Sequence, residues 1–358
     1  MAQLVARLVR NEKVRSSNLL SSTTETKGSK PVGFDPFGFR GVNVGERIES
    51  TPGTSHTHQN GGMSRAQPIV DRLVTIAEED GFAAHAVHVL IDDESAEYHW
   101  SRDERRDVHS VAKGVCVLAI GIAADDGLLD VDAPVAAYLP DFPLGEGVAE
   151  VTVRHLLTMT SGIDFPWSET MMTDWPDLAR EFLSRPSRGR VFQYSNASTY
   201  TAMRALQSVV GDVPRWLDQR LFAPLAIHAP AWERCPNGWI LAGGGLHLNT
   251  TELARIGQLI RDDGVWQGQR VVSSRWVQAM HSDWFERGPE PEPAYRRYAL
   301  SGWDGPGAAW RLHGAYGQLL IFHGDAVVTI TADDHFKADR MAERVVTTLE
   351  QCGSGTDA

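Results

Sequence analysis

Apolar residues at Ile69, Leu73, Val74, Ile76 and Ala77 recur at helical spacing and predict a helix over 68–79. The stretches 84–91 and 95–100, joined by the acidic turn Asp92-Asp93-Glu94, predict two strands. The pattern then changes. Val115-Cys116-Val117-Leu118-Ala119-Ile120 is apolar with no polar face, so a helix there is expected to be buried around most of its circumference. The middle of the chain reads as short helices and loops. These are a turn and short helix over 125–135, a strand start, short helix and glycine-stopped turn over 151–162, and helices over 175–184 and 198–210. A glycine run, Ala242-Gly243-Gly244-Gly245-Leu246-His247-Leu248, leads into a strand and then a helix over 252–263 with apolar Leu253, Ile256, Leu259 and Ile260. Another helix is expected over 275–281 and a surface loop over 288–293. Strands follow over 298–303, 309–312, 316–322 and 326–331, and a last helix over 338–351.

The first 62 residues show no such order. Residues 16–62 are rich in Ser, Thr, Gly, Asn and Pro without a hydrophobic period, which predicts a disordered extension over 1–62. Met1–Arg15 resembles conceptual translation through a tRNA gene, which places the expected natural start at Met63. Without the extension the formal charge moves from −12 to −15. The opening lacks the apolar core and small-residue cleavage site of a secretory signal, so the expected location is cytoplasmic.

Composition narrows the class. The 358 residues are 42% hydrophobic and 22% charged, as in a water-soluble globular protein, and no run reaches the ~20 apolar residues of a membrane span. A net charge of −12 argues against a nucleic-acid surface. Cys116, Cys235 and Cys352 are few, odd in number and far apart, so no disulfide framework is expected. No His, Cys or Asp grouping has metal-ligand spacing, and His56-Thr57-His58 lies in a polar segment. Neither metal nor cofactor is expected.

The chemistry is expected at His109-Ser110-Val111-Ala112-Lys113-Gly114. Residues three apart share a helix face, so the Ser110 hydroxyl and the Lys113 amine can meet. Ser110 at a helix N-terminus also lies where unpaired backbone N–H groups can hold an oxyanion. Burial favours the neutral amine, which can take a proton from Ser110. The plain alternative is an N-cap serine beside a surface lysine. Lysine usage weighs against it: the chain has five lysines against 29 arginines, and Lys113 is the only lysine between Lys30 and Lys337. Arginine cannot release a proton at working pH, so a switchable amine has to be lysine.

Two further stretches qualify. Tyr194 and Asn196 are two apart before a helix and can face one cleft, or else serve as a core tyrosine and a helix cap. In Leu312-His313-Gly314-Ala315-Tyr316-Gly317-Gln318 the glycines let a strand edge approach a substrate, although a plain hairpin fits as well. Three glycines at 243–245 lack the rest of a phosphate-binding signature and read as a close backbone approach.

In this order and spacing, Ser110–Lys113, Tyr194–Asn196 and the glycine-rich strand resemble the serine β-lactamase-like family. That family holds class C β-lactamases, DD-peptidases, family VIII esterases and 6-aminohexanoate-dimer hydrolases. His155–Gly162, Phe192–Asn196, Leu221–Leu225 and Ala242–Leu246 extend the resemblance across residues 68–349. It implies an α+β, β-lactamase/transpeptidase-like fold. An antiparallel sheet flanked by helices would be built from 63–125 and 240–351, a mostly helical lobe from 126–239, and a tail from 352–358. It implies Ser110 as nucleophile, with Lys113 easing loss of its proton. Tyr194 would be the general base, as a phenolate or through Lys113, and the Ser110 and Ala315 N–H groups the oxyanion hole. Asn196, His313, Gly314 and Tyr316 would contact substrate. In the β-lactamase and peptidase pattern the third box starts with Lys or His, then Thr or Ser, then Gly. Here Leu312-His313 precedes Gly314, so a cationic anchor is absent or displaced to His313. The expected activity is therefore hydrolysis of a small-molecule ester or amide, with no nucleic-acid or membrane partner. The alternatives are a β-lactamase or D-amino-acid peptidase, or a ligand-binding sensor on the same fold. Trp167, Trp175, Tyr295 and Trp303 are candidate pocket residues and equally candidate packing residues.

Overall fold

The computed structural model describes residues 56–57, 64–166, 177–287 and 293–353, all within the compact unit Thr54–Ala358. Trp167, Trp175, Met63, residues 288–292 of the expected loop, the end of the tail and all of the expected extension except His56–Thr57 lie outside them.

Alternating and continuous apolar runs from both ends of the chain meet in one sheet. Its strands are β1 (His56–Thr57), β2 (Ala84–Ile91), β3 (Glu94–His99), β8 (Phe285–Glu286), β9 (Arg297–Tyr298), β10 (Trp303–Asp304), β11 (Trp310–Gly314), β12 (Gln318–His323) and β13 (Ala326–Ala332). They pair antiparallel in the order β1-β3-β2-β13-β12-β11-β10-β9-β8. Two short antiparallel pairs stand apart from it: β4 (Arg106–Asp107) with β5 (His247–Leu248), and the hairpin of β6 (Val265–Trp266) with β7 (Gln269–Arg270).

Helix α1 (Ala66–Asp80) ends at Gly81, whose φ of 59° suits a residue without a side chain. Its stripe Ile69, Val70, Leu73, Ile76 and Ala77 and the last helix, α9 (Ala338–Gly353), cover one sheet face at Val87, Val89, Leu319, Ile321 and Val328. The other face, with Leu90, Leu312, Leu320 and Val327, joins a second core. There it meets α2 (Ala112–Asp125) and α7 (Thr250–Arg261), and α8 (Ser274–Ala279) packs on α2. Every residue of α2 from Ala112 to Ala123 is buried, as its unbroken apolar run predicts. Its far side meets α5 (Asn196–Val210) of the middle region, around which α3 (Val153–Leu157), α4 (Leu178–Ser184) and α6 (Val213–Leu217) gather. Helix α2 is thus the shared wall between sheet and helical region.

Two expectations are corrected. The strand expected over 298–303 is a hairpin, β9–β10, in which the Ala299 N–H donates to the Gly302 carbonyl at 2.9 Å and Ser301 takes φ 67°. Within that turn Gly302 is pressed against the Met280 carbonyl, with no room for a Cβ. The strand expected over 316–322 starts at Gln318, since Tyr316 is left-handed at φ 59°, ψ 20°.

Burial also sets a pH response. His88, His109, His313 and His335 are each held below the usual histidine range, chiefly by desolvation. Each is neutral in the fold and takes a proton more readily when unfolded, so its stability contribution is full above pH 6.5, the ordinary value, and is lost as pH falls below it. His99 opposes this, raised by its hydrogen bond to Glu97. The melting temperature should therefore fall between about pH 7.5 and 5.5, before carboxylates titrate. A flat profile over that range would show that these histidines are not desolvated.

Candidate active site

Ser110 lies in a 3-10 turn, His109–Val111, that runs directly into α2. Lys113 is one helical turn on and only 2% exposed. Its Nζ donates to Ser110 Oγ at 2.9 Å, Asn196 Oδ1 at 2.8 Å and the Gly243 carbonyl at 2.7 Å. An ammonium has three N–H donors, and this set uses each once. All three acceptors are neutral and come from separate parts of the chain.

Local sequence explains each acceptor. Ser195 caps α5, its Oγ accepting from the Ala197 N–H at 3.2 Å, so capping does not consume Asn196. Asn196, the first residue of α5, turns its amide oxygen to Lys113 instead. A Cβ at Gly243 would lie 2.6 Å from that oxygen, so this close approach requires glycine. The carbonyl of Gly243 was not foreseeable as a partner, because a backbone acceptor leaves no mark in the sequence beyond the glycines that admit it.

Tyr194 is half-buried, and its ring centroid lies 4.9 Å from Lys113 Nζ. Tyr298 and Trp303 back the ring at 5.9 and 5.5 Å, and Tyr295 packs edge-on to Trp303 at 5.0 Å. Tyr295 and Trp303 are both buried and thus packing residues that hold Tyr194.

The end of β11 reaches the same place. A Cβ at Gly314 would come 2.5 Å from the Val108 carbonyl and 3.2 Å from His109 Cβ, so β11 lies tight against the Ser110 turn. Ala315 follows, and then Tyr316, which is 43% exposed with its ring 5.1 Å from that of His109. Gly314→Ala is expected to push the strand end from the turn. Serine acylation should slow about 10²-fold, the scale for misplacing reacting groups by about 1 Å. An unchanged rate would separate this strand from the chemistry.

His313 does not supply the displaced cation that its position suggested. Its ring is buried beside Tyr295 Oη at 3.3 Å, Arg311 Nε at 3.4 Å and Asp339 at 3.6 Å. Desolvation, then the neighbouring Arg311 charge, holds it well below the histidine range, so it is neutral. Strand alternation reveals which residues share a face, but not that a buried arginine waits there.

Volume alone would misplace the site. A cleft of about 500 Å³ lies at the opposite end of α2, beside Leu129, Asp132, Arg154 and Trp276. Its Arg154 is already held by both Asp132 oxygens, at 2.6 and 2.8 Å. A smaller pocket of about 180 Å³ opens next to Tyr194, lined by Gly162, Asp164, Arg188, Val191, Phe192 and Gln193. Among the described residues no group of three or more His, Cys, Asp or Glu side chains is placed to hold a metal, and no helix is long and apolar enough to cross a membrane.

The antiparallel sheet, the buried α2 and the helical region define a β-lactamase/transpeptidase-like fold. Residues 69–332 match the Beta-lactamase family, and the chain belongs to it. It is 30% identical over 262 residues to the 6-aminohexanoate-dimer hydrolase of Paenarthrobacter ureafaciens, covering 66% of this chain and 65% of that protein. The chain thus spans just under two thirds of that relative. The crystal structure of SurE with D-Leu superposes with a TM-score of 0.64 at 21% identity, covering 82% of this chain and 76% of that one. The crystal structure of a family VIII carboxylesterase gives 0.63 at 14% identity, covering 82% and 99%. At these identities the two structures speak for the fold alone.

Proposed function

We propose that this protein is a serine hydrolase that cleaves a carboxylic ester or amide through an acyl-enzyme on Ser110. One observation carries the reading: a buried lysine amine 2.9 Å from a half-buried serine hydroxyl, at the foot of a tyrosine. Membership of the family and likeness to a relative named as a hydrolase support it.

In this mechanism Ser110 Oγ attacks the substrate carbonyl carbon while its proton passes to Tyr194, as phenolate or through Lys113. The tetrahedral oxyanion rests between the N–H groups of Ser110 and Ala315. Collapse breaks the bond to the alcohol or amine, which leaves with the proton from Tyr194, and water then hydrolyses the acyl-enzyme. Asn196 gives its oxygen to Lys113, so its amide N–H₂ is the part left to meet substrate, beside Gly314 and Tyr316. With Leu312 where a β-lactamase carries a cation, and His313 neutral, a substrate carboxylate has no anchor from this box. That favours neutral esters and amides over β-lactams and peptide termini.

The test is intact-protein mass after exposure to a fluorophosphonate. Oγ forms a bond to phosphorus as fluoride leaves, so a single adduct is expected on the native protein and none on Ser110→Ala. Absence of any adduct on folded protein would favour a binding module that kept the fold without turnover.

A further inference from the structure

Asp107 lies three residues before Ser110 and belongs to no part of the mechanism above. It sits in β4, opposite His247 in β5. One of its oxygens, Oδ1, accepts two backbone N–H groups: that of His109 at 2.7 Å and that of Gly245 at 2.8 Å. The other oxygen, Oδ2, is 3.1 Å from His109 Nδ1.

One amide belongs to the Ser110 turn and the other to the glycine run that holds the Lys113 amine. His109 directly precedes Ser110 and holds φ 48°, a left-handed conformation uncommon for a residue with a side chain. Such a conformation persists only where its surroundings fix it. Gly245 ends the glycine run whose first member, Gly243, offers the carbonyl that accepts from Lys113. Around this point the Val108 N–H donates to the Leu246 carbonyl at 2.8 Å, which locks the same two segments one residue further out.

We infer that Asp107 is a positioning residue for the Ser110–Lys113 pair, one carboxylate oxygen setting the distance between the nucleophile turn and the backbone that holds the amine. The inference rests on Ser110 being the nucleophile. It assigns Asp107 no contact with substrate. It also says which feature of the side chain matters: an oxygen at the Oδ1 position, rather than the negative charge.

That distinction gives the experiment. Asp107→Asn keeps an oxygen at Oδ1 for both amides and removes the charge. Asp107→Glu keeps the charge and moves the oxygen by one methylene. Both, with Asp107→Ala, are compared with native protein in fluorophosphonate labelling, with kinact and KI separated and melting followed on each. Asn is expected to restore kinact to within about threefold of native, while Glu and Ala lose about 10²-fold in kinact with KI little changed. The inference is overturned if Glu labels like native protein, which makes charge rather than placement the active feature, or if folded Asn loses as much as Glu, which shows that an oxygen at the Oδ1 position is not sufficient. Should Ala not fold, the Asn–Glu contrast still decides. Failure of native protein to label at all sinks the serine-hydrolase reading instead, so the two failures are distinct.

Discussion

Replacing Lys113 by methionine is expected to slow acylation of Ser110 about 10³-fold and to destabilise the fold at the same time. The two effects have one source. The ammonium satisfies Asn196 Oδ1 and the Gly243 carbonyl as well as Ser110 Oγ, within a site where Lys113 is 2% exposed. Methionine fills a similar volume but leaves acceptors without donors, at about 1–3 kcal/mol for each that water cannot reach. Lys113→Arg separates charge from proton chemistry. Its guanidinium keeps the charge, but its planar fork does not match three oxygens converging on one nitrogen and it releases no proton. Arginine should therefore be as slow as methionine in labelling. An arginine variant labelled at the native rate would show that a positive charge is sufficient and end the role given to the amine.

Tyr194→Phe should behave in the opposite way. The ring packs against Tyr298 and Trp303, and phenylalanine keeps those contacts. Stability should stay within about 1 kcal/mol of native, the scale of one hydrogen bond. Turnover of a chromogenic ester should nevertheless fall about 10²–10⁴-fold, the usual contribution of a general base. KM should change much less than kcat, because the hydroxyl is needed for proton movement more than for holding substrate. If turnover survives, the proton leaves by a route that does not include Tyr194, with Lys113 as the sole acceptor. The Lys113 and Tyr194 variants together distinguish a residue that holds the site from one that only works in it.

Much of this was legible in the chain. An apolar run with no polar face calls for burial on all sides, and α2 is a helix buried in that way. A single lysine beside it, in a chain that otherwise uses arginine, pointed to a position where the amine itself matters. Spacing let Tyr194 and Asn196 face one cleft without deciding it, and the family resemblance singled them out, although only the structure shows that Ser195 takes the capping role and leaves Asn196 for Lys113. What stayed hidden has physical reasons. The β9–β10 turn holds Gly302 against the Met280 carbonyl, a contact distant in sequence. The neutrality of His313 depends on Arg311 and burial, which no local pattern reports. Asp107 acts through two backbone amides, one of them 138 residues away, and an aspartate near a strand end looks like any other.

The pairing of Ala84–Ile91 with Ala326–Ala332 has a consequence for the protein during its synthesis. The third strand counted from the β1 edge finds this second neighbour only after residues 326–332 have left the ribosome, because such a distant partner must be made before the loop between them can close. Ser110 and Lys113 emerge early, but Gly243 is made some 130 residues after Lys113, and Ala315 later still. A product of translation that stops short of residues 326–332 would lack the strand on which β2 pairs in the sheet.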